Sequence, residues 1–202
     1  MNIAIIKYNA GNVQSVLYAL QRLGINAVVT DDHVEIMKAD KVIFPGVGNA
    51  ASAMEYLRKN NLDKLIVSLK QPVLGICLGL QLMCNASEEG NTECLGIFDV
   101  AVKKFDNLNL KNKTASFKVP HMGWNNIYDL RSKLFNDVKE NAYVYFVHSY
   151  YATLSEHTIA TTDYILPFSA AMHRNNFYGV QFHSEKSAEA GVQIISNFLN
   201  LV

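Results

Sequence analysis

The sequence predicts an α/β fold whose central, mostly parallel sheet is flanked by helices. Short, wholly apolar segments such as 3–6 and 73–76 alternate with longer amphipathic segments through the first half of the chain. Strands of a parallel sheet are buried on both faces and therefore have continuous apolar sequences. The second half is richer in segments of β-type composition, which predicts additional antiparallel strands there.

The elements of the first half follow from hydrophobic periodicity. Val13, Val16, Leu17 and Leu20 recur at helical spacing, and Pro45-Gly46 ends an apolar run as a strand-to-loop signal. We predict strands at 3–6, 27–30, 42–44 and 73–76, and helices at 11–23, from 50 to about 70, and from 78 onward.

The second half contains predicted strands at 100–105, 115–119 and 143–147 and a final amphipathic helix at 188–201. Segments 168–174 and 177–182 flank Asn175-Asn176, a two-residue turn that tolerates positive φ, so they predict a hairpin. The hairpin would deliver His183 to the end of a strand. Because no linker or repeat interrupts the chain, we expect one domain over residues 1–202.

Composition excludes several classes of function. The chain has 202 residues, half of them apolar, and its 18 basic residues balance its 18 acidic ones, so no nucleic-acid or anionic-membrane surface is expected. The longest apolar stretch is shorter than the roughly 20 residues of a spanning helix. Three cysteines without CxxC spacing argue against disulfides and a zinc site. We expect a cytoplasmic protein without metal or cofactor.

One cysteine and a distant histidine carry the chemistry. Cys77 lies between Gly75 and Gly79, which predicts a sharp strand-to-helix turn that exposes a nucleophile at a helix N-terminus, where a thiolate is favoured. A buried structural cysteine is the alternative. His183 and Glu185 are two residues apart on a predicted strand, so they would face the same side, as a base and its orienting acid must.

The segment Pro45-Gly-Val-Gly48 follows a strand and precedes a helix. It allows a plain turn, or a phosphate cradle that lacks the lysine and spacing of a P-loop. It also allows exposed backbone N–H groups that form an oxyanion hole. In an open α/β sheet, strands that end at Phe44, Ile76 and Phe182 can converge on one crevice.

Several motifs resemble a known family. GICLGLQ (75–81), PGVG (45–48) and GVQFHSEKS (179–187) are similar to the triad-type, class I glutamine amidotransferases. More narrowly, PHMGWN (120–125), YFVHSY (145–150) and the ending HSEKS resemble the glutaminase subunits of imidazole glycerol phosphate synthases. The resemblance covers effectively the whole chain, from Gly11-Asn12 to Ser187.

The resemblance implies a reaction and a set of site residues. Cys77 would attack the side-chain amide of glutamine to give a thioester, His183 would transfer protons, and Glu185 would orient His183. The family pattern also places an oxyanion hole at Leu78 and within Gly46, Val47 and Gly48, and glutamine-binding positions at Gly48, Gln81, Ser149 and Tyr150.

The resemblance also implies a partner. In the family, ammonia passes through a channel to a (β/α)8-barrel cyclase that forms a heterodimer with the glutaminase, at the fifth step of histidine biosynthesis. The matching motifs place partner contact on His121, Met122, Trp124 and Lys186. A large residue such as Trp124 can equally belong to the core.

The chain departs from the family pattern at three places. Ser184 stands where proline is usual, Asn49-Ala50 follows PGVG, and Lys7-Tyr8-Asn9 replaces Asp-Tyr-Gly. These departures leave open a paralogue that supplies ammonia to a different synthase, for example in sugar modification. A catalytically silent regulatory subunit and a cysteine protease or esterase are the alternatives from other classes.

Overall fold

The computed structural model describes residues 1–9, 12–106 and 117–201. The strands are β1 (Ile3–Ile6), β2 (Ala27–Thr30), β3 (Lys41–Gly46), β4 (Val73–Cys77), β5 (Ala86–Ser87), β6 (Thr92–Glu93), β7 (Ala101–Lys104), β8 (His121–Ile127), β9 (Ala142–His148), β10 (Tyr150–Ala152), β11 (Thr158–Asp163), β12 (Pro167–Arg174) and β13 (Phe177–Val180). The helices are α1 (Val13–Arg22), α2 (His33–Lys38), α3 (Ala50–Lys59), α4 (Leu62–Ser68), α5 (Leu78–Met83) and α6 (Ala188–Asn200).

The main sheet has seven strands in the order β11-β12-β13-β4-β3-β1-β2. Strands β13, β4, β3, β1 and β2 run parallel, and β11 and β12 pair antiparallel at one edge. A four-stranded sheet of order β10-β7-β5-β6 and a β8–β9 ribbon accompany it. The predicted fold class is confirmed. No helix in the described part of the chain is long and apolar enough to cross a membrane.

Helices cover both faces of the main sheet because side chains alternate along each strand. In β1, Ile3 and Ile5 belong to the apolar cluster that includes α1 and α6. Ala4 and Ile6 belong to a second cluster, with α3 and α4. Burial on both faces explains the continuous apolar sequences of the parallel strands.

Two predicted helices differ from the observed ones. The segment predicted as one helix from 50 to 70 is two, because Asn61 adopts a left-handed conformation with φ of 55° between α3 and α4. Helix α1 begins at Val13, and Asn12, also left-handed, is its N-cap. Gly11, the predicted start, lies outside the described residues.

Two strand predictions also need correction. Residues 117–119 are not in a strand, and 115–116 lie outside the described part of the chain. The hairpin of β12 and β13 is present, with Asn175 at a φ of 56°, but β13 ends at Val180. The chain then turns into a short 3-10 helix at Ser184–Lys186.

The order of the central strands positions the site. Strand β4 lies between β13 and β3, and Cys77 at the end of β4 pairs with Gly46 at the end of β3. The segment that follows β13 leads directly to His183. Parallel strands present their carboxyl ends at one edge, so these three segments meet in one crevice.

Candidate active site

Cys77 occupies a strained turn between β4 and α5. Its φ of 54° and ψ of −107° are rare for a residue with a side chain, and its side chain is largely buried. Such a conformation costs on the order of 1–3 kcal/mol and persists only where the surrounding structure enforces it. The turn is the strand-to-helix elbow that the sequence predicts.

The two flanking glycines are required by close packing. A Cβ atom on Gly79 would lie 1.9 Å from the carbonyl oxygen of Phe44. A Cβ atom on Gly75 would lie 2.8 Å from the carbonyl carbon of Gly79. Because Gly79 lacks a side chain, α5 can approach β3 this closely, and because Gly75 lacks one, α5 can pack directly against β4.

His183 and Glu185 are brought together by the 3-10 turn, so the prediction that they share a strand is wrong. His183 Nδ1 lies 2.7 Å from Glu185 Oε1, and both side chains are buried. The backbone N–H of His183 donates to the Tyr145 carbonyl at 2.8 Å. The Ser187 hydroxyl donates to the His183 carbonyl at 2.6 Å and accepts from the Tyr145 N–H at 3.0 Å. This turn is therefore anchored to β9.

The environment of His183 favours a protonated imidazole. Burial acts to lower the pKa of His183, but interactions with Cys77 and Glu185 outweigh it and raise that pKa to about 10. Glu185 accepts a hydrogen bond from His183 Nδ1. His183 Nε2 is buried without a hydrogen-bond partner among the described residues. Nε2 is thus the nitrogen left to exchange a proton with the thiol or with a leaving group.

Asn12 is a member of this cluster that the motif analysis did not identify as a site residue. Its Nδ2 donates to Glu185 Oε1 and lies 3.2 Å from His183 Nδ1. Because His183 donates its Nδ1–H to Glu185, the bond to the carboxylate is the productive one. The local signal in the sequence is an asparagine directly before the first apolar residue of the helix, a typical N-cap position.

A cavity of about 320 Å³ opens beside the nucleophile. Its lining comprises Cys77, the predicted oxyanion residues Val47, Gly48 and Leu78, the predicted substrate residues Gln81, Ser149 and Tyr150, and also Glu89, Pro120, Val147 and His148. Gly46 is not in this lining and lies behind it, paired with Cys77. The first N–H groups of a helix have no intrahelical acceptor, so the Leu78 N–H suits an oxyanion.

Glu89 is the charged side chain in that lining, and sequence reasoning missed it. One of its oxygens, Oε2, accepts from the Ala50 N–H at 2.7 Å, at the start of α3. The side chain is half-buried. A carboxylate at this position can bind a cationic group of a substrate.

His121 and His148 form a buried pair beside the cavity, which His148 lines and His121 does not. His148 Nδ1 donates to the Tyr150 carbonyl at 2.7 Å, so its Nε2 must accept from His121 Nδ1 at 3.2 Å. Burial lowers the pKa of His148 to about 3 and the pKa of His121 to about 4. His121 also stacks on Phe146 and Tyr164.

The four residues predicted to contact a partner divide into two groups. Met122 and Trp124 are 63% and 52% exposed, and Lys186 is also exposed. The structure rejects the core alternative for Trp124, which packs edge-on against Tyr145. His121 is 3% exposed, so its predicted direct contact is corrected: its imidazole supports the ribbon from within.

Comparison with known proteins assigns the family. The sequence profile of the class I glutamine amidotransferases matches residues 4–201. The chain belongs to this family. The elbow at Cys77 and the His183–Glu185 pair are thus found in a glutamine amidotransferase, an enzyme family that hydrolyses glutamine.

Individual relatives give a narrower likeness. The chain is 58% identical over 201 residues to the imidazole glycerol phosphate synthase subunit HisH of Bacteroides fragilis (strain YCH46), covering 100% of both chains. It is 45% identical over 203 residues to the subunit of the same name from Yersinia pseudotuberculosis, again over 100% of both chains. Among solved structures, a glutamine amidotransferase from Thermotoga maritima superimposes with a TM-score of 0.63 at 16% identity, covering 98% of this chain and 82% of that one.

Proposed function

We propose that this chain is the glutaminase subunit of an imidazole glycerol phosphate synthase and supplies ammonia to a (β/α)8-barrel cyclase. The observation that carries the proposal is the geometry at the sheet edge. A strained cysteine, a buried His–Glu pair and a lined cavity meet there. Identity of 58% over the full length to a protein named for that subunit supports the choice of pathway.

The proposed reaction begins with attack of Cys77 Sγ on the side-chain carbonyl carbon of glutamine. The carbonyl oxygen becomes an oxyanion, which the Leu78 N–H and a peptide within residues 46–48 would stabilise. His183 then donates its Nε2 proton to the departing nitrogen, and the C–N bond breaks. Ammonia departs, and Cys77 remains bound to the γ-glutamyl group as a thioester. Water attacks the thioester while His183 accepts its proton, and cleavage of the C–S bond releases glutamate and Cys77.

The lining of the cavity suits glutamine as a substrate. The amide end must reach Cys77, which leaves the amino-acid end for the opposite part of the cavity. We expect Glu89 to bind the α-ammonium group, because it is a carboxylate and one of its oxygens is already fixed by Ala50. We expect Gln81, Ser149 and Tyr150 to bind the remaining polar groups.

The exposed apolar residues support a partner surface near the triad. Trp124 and Lys186 line one groove of about 350 Å³, which Glu185 also borders. Exposed Trp and Met are typical anchors of protein interfaces. A cyclase docked on Met122, Trp124 and Lys186 would therefore contact the turn that carries His183 and Glu185.

The experiment is glutamate release from glutamine by the chain alone and with the host's cyclase barrel and its ribonucleotide substrate. We expect low activity alone, strong stimulation in the complex, and its loss in Cys77→Ala. Cys94→Ser, which replaces a thiol outside the cavity, is the matched control and should retain activity.

Three other results would contradict the proposal. No stimulation by a barrel that is active on free ammonia would favour the paralogue that serves another synthase. Glutamate release that survives Cys77→Ala would remove the triad mechanism. Hydrolysis of peptides or esters without glutamine would favour a protease or esterase.

A further inference from the structure

A buried amide lies against the nucleophile and has no role in the triad. Gln181 has no exposed surface, and its Nε2 lies 3.6 Å from Cys77 Sγ. Burying an amide is costly unless its polar atoms are hydrogen-bonded. The partners of this side chain therefore show what maintains it beside the thiol.

A single backbone carbonyl determines which way the buried amides point. The Tyr150 carbonyl can only accept, and the nearest amide atom of Gln81 lies 2.9 Å from it, so that atom is Nε2, a donor. The same Nε2 lies 3.0 Å from the amide of Gln181, which must present its oxygen there. Gln181 therefore turns its N–H2 group toward Cys77.

Neither amide can be rotated without a penalty. A flipped Gln81 would place its oxygen against the Tyr150 carbonyl oxygen, and a flipped Gln181 would place its N–H2 against that of Gln81. The Tyr150 carbonyl also accepts from His148 Nδ1 at 2.7 Å, so both of its lone pairs are used. The fold thus fixes which atoms donate and which accept in the series of hydrogen bonds that joins Tyr150, Gln81, Gln181 and Cys77. We call this series the relay.

We propose that Gln181 is a positioning residue that stabilises the thiolate form of Cys77 by donating an N–H to its sulfur. The thiol form has a competing contact, because the S–H can donate to the Val147 carbonyl at 3.9 Å. An anionic sulfur is the better acceptor for the Gln181 N–H. The inference rests on the proposed function of Cys77 as a nucleophile.

The relay also links the thiolate to the substrate pocket. Gln81 and Tyr150 line the cavity, while Gln181 lies behind it. Because Gln81 uses its N–H2 on Tyr150 and Gln181, its Oε1 remains for a donor group of the substrate. A ligand at Gln81 would therefore contact the same amide that orients Gln181 toward the nucleophile.

The test is the rate of Cys77 alkylation by iodoacetamide, measured without glutamine. Gln181→Met retains length and removes the donor, and Gln181→Glu retains shape and places a carboxylate beside sulfur. We expect alkylation at pH 7 to fall about 10-fold in Gln181→Met and further in Gln181→Glu. The deficit of Gln181→Met should disappear at pH 9.5, which lies above the ordinary pKa of a cysteine thiol.

A matched control and a kinetic measurement separate this role from packing. Gln193→Met alters a glutamine on α6 that bonds only Asn197 in the described structure, and should leave alkylation unchanged. In the complete complex, we expect Gln181→Met to lower kcat about 10-fold to 100-fold with KM within about threefold.

Two outcomes would overturn the proposal. Alkylation that is reduced equally at pH 7 and pH 9.5 would show altered access instead of altered ionisation. If circular dichroism shows that both variants are folded and both are alkylated at the wild-type rate at pH 7, the amide does not act on the sulfur. Neither outcome depends on glutaminase activity, so failure of the proposed function would be detected separately.

Discussion

The nucleophile and the base of this site are held in different ways. Cys77 is placed by backbone geometry within one strand–turn–helix unit, where Gly75 allows α5 to pack on β4 and Gly79 allows it to pack on β3. His183 is placed by long-range hydrogen bonds, through its backbone to Tyr145 and through Ser187. The first arrangement is local in sequence and the second is assembled by tertiary structure.

This difference determines how substitutions affect the nucleophile side and the base side of the site. A local elbow is disrupted by adding a single methyl group, because its atoms are already in contact. A hydrogen-bonded turn loses its function gradually, as one bond after another is removed. Substitutions on the two sides should therefore differ in whether activity or stability is lost first.

Glu185→Gln should give the largest effect, on the base side. The side chain retains its shape but loses the charge that, together with Cys77, raises the pKa of His183 against the effect of burial, so that pKa should fall. We expect kcat to fall about 100-fold to 1000-fold. The alkaline limit of the pH–rate profile should move to lower pH, because the imidazolium is lost earlier.

The measurement is the pH dependence of glutamate release in the complex, with Glu189→Gln as control. Glu189 is an exposed carboxylate in the first turn of α6, and its loss should leave the profile unchanged. A Glu185→Gln enzyme with the wild-type alkaline limit would show that the carboxylate does not set the ionisation of His183.

Gly79→Ala should be the most damaging change on the nucleophile side. Its Cβ would meet the Phe44 carbonyl, a backbone atom that cannot move without displacing β3. We expect a loss of about 3 kcal/mol in the free energy of unfolding. Chemical denaturation measures this directly.

Gly24→Ala is the matched control, because Gly24 has a φ of 74° but no atom within 4 Å of the place that a Cβ would occupy. Only backbone strain is added there, at a cost of about 1 kcal/mol. Equal losses in the two variants would show that the elbow is not close-packed.

Ser187→Ala tests the hydrogen bonds that connect the His183 turn to β9. It removes one donor to the His183 carbonyl and leaves the Tyr145 N–H without its acceptor. We expect a loss of about 1–2 kcal/mol in unfolding free energy, accompanied by lower activity. Ser68→Ala, whose hydroxyl bonds only a carbonyl three residues earlier in α4, should change little, and a comparable loss there would argue against a specific role for Ser187.

The same contrast explains what the sequence could predict. The strand ends at Cys77 and at the PGVG loop can be predicted because glycine spacing and apolar runs are local signals. Asn12 contacts the triad although it is 171 residues away from His183 in sequence, and only the packing of α1 brings it there. Glu89 and Gln181 are ordinary polar residues in their own segments, and the fold alone gives them a place at the cavity and the sulfur.

The interface prediction illustrates the same limit. A motif places His121, Met122 and Trp124 within a span of four residues, but adjacent residues on a strand face opposite sides of it. Met122 is exposed, and His121 points inward to His148. Trp124 lies two residues beyond Met122, so the same alternation turns it to the side that Met122 faces, and it too is exposed.

The smallest expected effect concerns this inward histidine pair and appears as a pH dependence of stability. Burial lowers the pKa of His121 to about 4 and of His148 to about 3, against about 6.5 in an unfolded chain. Between pH 6.5 and 4, the unfolded state binds more protons than the folded state, so stability must fall as pH falls. His183, with its pKa raised to about 10, instead loses its contribution above pH 6.5, in a separate window.

His121→Phe should flatten the acid side of that stability profile. Phenylalanine can retain the stacking on Phe146 and Tyr164 but cannot titrate. It also leaves His148 Nε2 without a donor, which should lower stability by about 1 kcal/mol at every pH. Denaturant unfolding at pH 7, 6 and 5 should show a slope reduced by about one proton. An unchanged slope would mean that the pair is not the source of the acid sensitivity, and that proton uptake on unfolding comes from another part of the chain.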